Sequence, residues 1–228
     1  MKKKIVIFML LAMCILSLSA CGKSSINLSD YLIEERVSLY TAHDDLYNVD
    51  LSFGNREVDY NFDGVIGEMT PFAVLTISRI DNEPLANDTY SYFVKVNDQS
   101  YNGFLEKSNN ENSYTTDLEI STTPDAVINV QISFTGYTFV SDMTNTSSEF
   151  QIDSQSALSI ANSELQEEVK NLSADQNNKF EVVMKLMKDY SSADLKNYYW
   201  YISVISTDGD ILGILIDANT GDIIAKKV

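Results

Sequence analysis

The sequence predicts two folded units of different class: an all-β antiparallel sandwich over residues 30–140 and an α+β unit over residues 151–228. Three observations carry this prediction. Short runs of alternating apolar residues, closed by turn residues, recur between residues 46 and 134. One stretch, residues 154–172, places apolar residues at spacings of three and four instead. Strand-like runs then resume to the end of the chain. Thirteen Tyr and ten Phe against three Pro favour folded β-rich units over disorder.

The first unit reads strand by strand. Residues 46–53 alternate through Val49, Leu51 and Phe53 and meet Gly54-Asn55, which reads as a stop. Val58, Tyr60 and Phe62 alternate with Asp59, Asn61 and Asp63, and Asp63-Gly64 is a hairpin-type turn. Residues 72–80 are almost continuously apolar and end at Asp81-Asn82-Glu83-Pro84. Strands follow at 90–96, 101–105, 114–120 and 127–134, with Asn97-Asp98 and Asn109-Asn110-Glu111-Asn112 as polar breaks. About seven or eight evenly spaced strands predict a sandwich of the immunoglobulin or fibronectin type. A small barrel is the alternative closure, because pairing order is not written in the alternation.

Residues 141–150, with Asp142-Met143-Thr144-Asn145-Thr146-Ser147-Ser148, lack an apolar period and read as the linker between the units. Asp153 or Ser154 then offers a helix cap, with Ile152 packing back on the first turn. Ala157, Leu158, Ala161, Leu165, Val169 and Leu172 give one amphipathic helix over 154–172. Strands are expected at 180–187, 198–206 and 211–217, with Asp208-Gly209 turning the last pair, and a short strand at 222–225. This unit resembles the PepSY domain. The resemblance rests on Ile152, Ala157, Ile160 and Ala161 at the helix start and on Trp200, Ile202 and Val204 in a strand. Its most specific part is Ile216-Asp217-Ala218-x-Thr220-Gly221-x-Ile223. The resemblance implies a domain that binds or restrains a peptidase, and it brings no catalytic residues. It covers about a third of the chain.

At the N-terminus Lys2, Lys3 and Lys4 precede an apolar run over 5–18, which is too short and too terminal for a spanning helix. Leu18-Ser19-Ala20-Cys21 then resembles the lipobox of bacterial lipoproteins. The resemblance implies cleavage of a signal peptide at 1–20, lipid on the Cys21 sulfur and a polar tether at 21–29. It places the chain outside the cytoplasm, held to the membrane by its N-terminal lipid. Removing residues 1–20 takes three lysines from the 16 Lys and Arg, leaving 13 against 33 acids and a charge of −20 in place of −17. A chain this acidic has no basic patch for nucleic acid. The chain has two cysteines: Cys14 leaves with the signal and Cys21 is acylated, so no disulfide is expected and the units must be held by their cores.

Signals for catalysis are thin. His43 is the single histidine and sits in a polar loop, Ala42-His43-Asp44-Asp45, with no nucleophile elbow elsewhere. No cofactor is expected, and the chain is read as a non-enzyme. Asp59-x-Asn61-x-Asp63-Gly64-x-Ile66 follows the opening of a calcium loop, in which oxygens at alternate positions converge on the ion. Thr70 stands where the closing acid belongs and Pro71 blocks an exiting helix, so the hairpin is the stronger reading and Asp59, Asn61 and Asp63 are weak metal candidates. In Tyr198-Tyr199-Trp200-Tyr201, alternation assigns Trp200 to a core and makes Tyr199 and Tyr201 weak candidates for ligand contact. The expected function is therefore a lipid-anchored binding protein with a peptidase as possible partner. The alternative is a calcium- or carbohydrate-binding surface module.

Overall fold

A computed structural model describes residues 26–58, 63–81, 83–108, 112–120, 127–173, 179–188 and 197–228. The elements run β1 (Leu32–His43), β2 (Tyr47–Glu57), β3 (Met69–Arg79), β4 (Tyr90–Val96), β5 (Gln99–Lys107), β6 (Ser113–Leu118), β7 (Val127–Phe134) and β8 (Tyr137–Asn145). They continue with α1 (Ser154–Glu164), α2 (Gln166–Leu172), β9 (Phe180–Lys188), β10 (Tyr198–Ser206), β11 (Ile211–Asp217) and β12 (Ile223–Lys227).

The first eight strands close into an antiparallel barrel in the order β1-β2-β3-β6-β5-β4-β7-β8. Closure is the pairing of β1 with β8 at Tyr40↔Asn145 and Thr41↔Thr144. This corrects the sandwich of immunoglobulin or fibronectin type: one sheet returns to its own first strand instead of two sheets facing each other. Inward and outward residues alternate in both architectures, so the pattern alone does not separate them. The interior is packed by side chains, among them Val49, Leu51, Leu75, Ile77, Val94, Ile128, Ile132 and Met143, each fully buried.

The remaining four strands extend this sheet. β9 pairs with β1 in parallel over Leu32–Arg36, and β10, β11 and β12 follow in antiparallel order. One edge of β1 therefore serves β9 along its first half and β8 farther on, while β2 occupies the other edge. The handover falls at a β-bulge between Arg36 and Ser38, where Val37 and Ser38 together oppose Phe53. A bulge re-aims a strand, and here it frees the edge from β9 before β8 takes it. Gly54 is required at this point: a Cβ there would lie 1.6 Å from the Glu35 carbonyl oxygen. The Gly54-Asn55 pair thus marks a close backbone approach within β2, not the end of a strand.

The α+β, PepSY-like unit is corrected on the same ground. Strands make up 59% of the structure and helix 14%, and β9–β12 continue the barrel sheet instead of forming a sheet of their own. The single helix expected over 154–172 is two short ones, broken at Leu165. Asp153 caps α1 by accepting from the Ser156 amide at 2.7 Å. Ala157, Ala161, Leu165 and Val169 bury against Val182, Met184, Leu186, Ile202 and Val204, forming a second core that also takes Leu39 of β1. Trp200 belongs to this core, and its indole N–H donates to the Ile152 carbonyl at 2.8 Å. Part of the polar segment expected as a linker, residues 141–145, lies in β8, with Met143 buried in the barrel.

Candidate functional site

Alternation along β2 places Val49, Leu51 and Phe53 inside the barrel and Asn48, Asp50 and Ser52 on its outer wall. The register extends that wall sideways: Asp50 lies opposite Thr76 of β3, which lies opposite Thr115 of β6, and Ser52 connects in the same way to Val74 and Asp117. On an open barrel wall this face would meet water. Here the end of β9 passes over it, and a cleft of about 440 Å³ forms between the wall and Lys185, Leu186, Met187 and Lys188.

The floor of the cleft is polar and partly buried. Asp50 lines it and is 9% exposed, while Asn48, two residues away on the same face of β2, lies outside the lining and is 1% exposed. Neither amide atom of Asn48 has a hydrogen-bond partner within the described protein, and neither has Asp50 Oδ1. Buried polar atoms are nearly always bonded, because each one left bare costs roughly 1–3 kcal/mol. Burial pushes the Asp50 carboxyl up to about 7, against the pull of the Lys188 ammonium. Lys188 is itself driven down by burial, with Asp50 opposing. Each thus opposes the effect of burial on the other.

Charges around the rim come in partnerships with one exception. Arg36 Nε donates to Glu34 Oε1 at 2.7 Å, and Arg56 pairs with Asp117 while its guanidinium lies 4.6 Å from the Phe72 ring. Lys185 forms no ion pair among the described residues. It sits opposite Arg36 across the β1–β9 junction, with its ammonium 5.2 Å from the centre of the Tyr201 ring. Burial lowers its pKa first and the neighbouring Arg36 charge lowers it further, with the Glu34 carboxylate opposing both. Four of the sixteen Lys and Arg of an acidic chain thus gather around one cleft.

Tyr201 and Tyr199, named from the sequence as ligand candidates, are half-buried on the sheet face that carries two of the cleft's β9 residues: Tyr201 is paired with Lys185 and Tyr199 with Met187. Asp63 lies elsewhere, in the connection between β2 and β3. There its amide and that of Gly64 donate to Glu181 Oε1 at 3.0 and 2.9 Å, and Gly64 takes φ +70. Val58 is 45% exposed, so it is not the core residue the hairpin reading made it. Glu57 accepts from the Gly67 amide in the same connection, and Glu57 Oε2 and Glu181 Oε2 are buried without a partner. Asp59, Asn61 and Cys21 lie outside the described residues. Among the described residues no group of three or more His, Cys, Asp or Glu is placed to hold a metal ion. His43 is exposed.

Sequence reasoning missed Asn48, Asp50, Lys185 and Lys188. Asp50 looked like an ordinary outward residue between Val49 and Leu51. The one available signal was Lys185 and Lys188 interrupting the apolar run of β9. No family model, no curated protein and no solved structure matches the chain. Among the described residues no helix is long and apolar enough to cross a membrane.

Proposed function

We propose that this chain is a lipid-anchored extracytoplasmic protein that binds a small polar ligand in the cleft between the barrel wall and β9. The observation that carries the reading is the buried Asp50 carboxyl in the wall of an accessible cleft, whose Oδ1 has no hydrogen-bond partner among the described residues. A purely structural polar cluster would satisfy its own atoms. A ligand site leaves donors and acceptors for the ligand, inside a volume typical of small-molecule pockets. The lipobox-like segment ending at Cys21 supports the anchor, and the tether after it would hold the barrel near the membrane surface.

Met187 borders the cleft and is 37% exposed, whereas Met143 is sealed inside the barrel. With methionine methyl groups labelled by carbon-13, a library of aryl carboxylic acids and their primary amides should include members that shift Met187 saturably and leave Met143 in place. If no member does so, the cleft is not a ligand site. Fractionation tests the anchor separately. Cys21→Ala should leave an uncleaved precursor or release the protein from membranes, and normal processing with retention after a salt wash would refute it.

A further inference from the structure

We propose that the ligand presents one negative charge to Lys185 and Arg36, with a neutral hydrogen-bonding group directed at Asp50. The proposal rests on the cleft being the binding site and adds the chemical class of its occupant.

Charge around the cleft leads to this. Glu34 engages Arg36, Asp117 engages Arg56, and Asp50 faces Lys188. Lys185 is left over. It is half-buried, it has an aromatic ring on one side, and the residue opposite it on β1 is another cation. Two cations side by side on adjacent strands repel each other, and the carboxylate that acts on Lys185, Glu34, is already engaged by Arg36, which leaves the pair poised for an anion. The guanidinium of Arg36 is suited to this, since Glu34 contacts it through Nε and its planar fork has further N–H groups to offer. In an acidic protein a general attraction for anions is absent, so an anion must be recognised by local geometry.

The opposite end of the cleft asks for different chemistry. Asp50 Oδ1 offers a lone pair or, when protonated, a proton, and Ser52 and Thr76 line the same wall. A hydroxyl, amide or amine on the ligand would satisfy Asp50. Leu39, Phe72, Val74 and Met187 provide the apolar surface between the two ends. The occupant is thus a compact amphipathic monoanion: a carboxylate at one end, a hydrogen-bonding group at the other, and an apolar body between.

Matched pairs separate this proposal from the binding reading beneath it. 4-Hydroxybenzoate and 4-hydroxyphenylacetate, against 4-hydroxybenzamide and 4-hydroxyphenylacetamide, are titrated into the mature protein with the Met187 methyl as the readout. Each anion should bind at least tenfold more tightly than its neutral counterpart. Lys185→Gln, which keeps the side chain's bulk, should abolish that preference, and Lys95→Gln on the exposed side of β4 should leave it unchanged. Arg36→Gln serves as the second probe of the same seat and should also reduce the preference. If neutral and anionic members bind equally, or if Lys185→Gln keeps the preference, the charge assignment fails while the cleft remains a binding site. If no compound moves Met187, both fail.

Discussion

Removing the Lys188 ammonium while leaving its carboxylate partner in place should make the stability of this protein fall with pH in a way the wild type does not. The Asp50 carboxyl moves from its ordinary 3.8 to about 7 on folding. Between those values the folded state holds a proton that the unfolded chain has released. The contribution of Asp50 to stability is therefore full below pH 3.8, is lost as pH rises to about 7, and stays constant above that, where both states are ionised. Lys188 is the one charge opposing the burial effect. In Lys188→Met the carboxyl keeps its proton to higher pH, and stability goes on falling by about 1.4 kcal/mol per pH unit. At about pH 8.5 the variant should be worse by roughly 2 kcal/mol than its own deficit at about pH 5.5, on the same slope. For a chain of this size that adds roughly 4–8 °C to the loss in Tm. Urea unfolding followed through Trp200, the single tryptophan, measures it. A deficit of equal size at both pH values would show that Asp50 and Lys188 are not coupled. Adding Asp50→Asn to the variant should remove the pH dependence, because no titrating group is then left at that position.

Three other perturbations test the frame that holds the cleft. Gly54→Ala drives a Cβ into the Glu35 carbonyl, a backbone contact that no rotamer relieves. It should cost about 1–3 kcal/mol, and an unchanged Tm would mean that the bulge in β1 is not as described. Trp200→Phe keeps an aromatic ring but strands the Ile152 carbonyl, for a loss of about 1–3 kcal/mol. Circular dichroism melts would detect it, and wild-type stability would exclude the bond. Burial raises the Glu181 carboxyl above 4.5, so its contribution is present at low pH and is lost as pH rises through the folded value. Glu181→Gln can still accept from the Asp63 and Gly64 amides, so its stability should decline less above pH 4.5 than that of the wild type. Parallel curves would show that Glu181 does not titrate differently on folding.

Much of the strand content was legible. The segments 90–96, 127–134, 198–206 and 211–217 coincide with β4, β7, β10 and β11, because each is a short run of apolar and aromatic residues bounded by turn residues. The architecture was not legible, and two strands account for that. β1 opens with Glu34, Glu35 and Arg36, and its bulge shifts the alternation partway along, so it does not read as a strand. β8 ends in Asp142-Met143-Thr144-Asn145, which reads as a linker. These are the two strands that pair to close the barrel. Missing them leaves a set of strands whose inner faces satisfy a sandwich equally well.

The same physics explains why the candidate site was hard to see. An outward polar residue on a barrel strand is unremarkable until something covers it, and covering is a long-range event. Asp50 is buried because β1 hands its edge from β9 to β8 at the bulge, which leaves the end of β9 free to cross the outer wall. The residues that obscured β1 as a strand, Glu34 and Arg36, are rim residues of the cleft. The lysines that interrupt β9 are its other wall. Local consistency breaks where the chain keeps polar groups that the fold alone does not need. Asn48 and Asp50 remain unsatisfied after every strand and helix has found its partner. That coincidence of broken pattern, buried charge and open volume ties the ligand reading to this cleft and not to the Glu57 and Glu181 pair, where loop amides occupy one oxygen of each carboxylate.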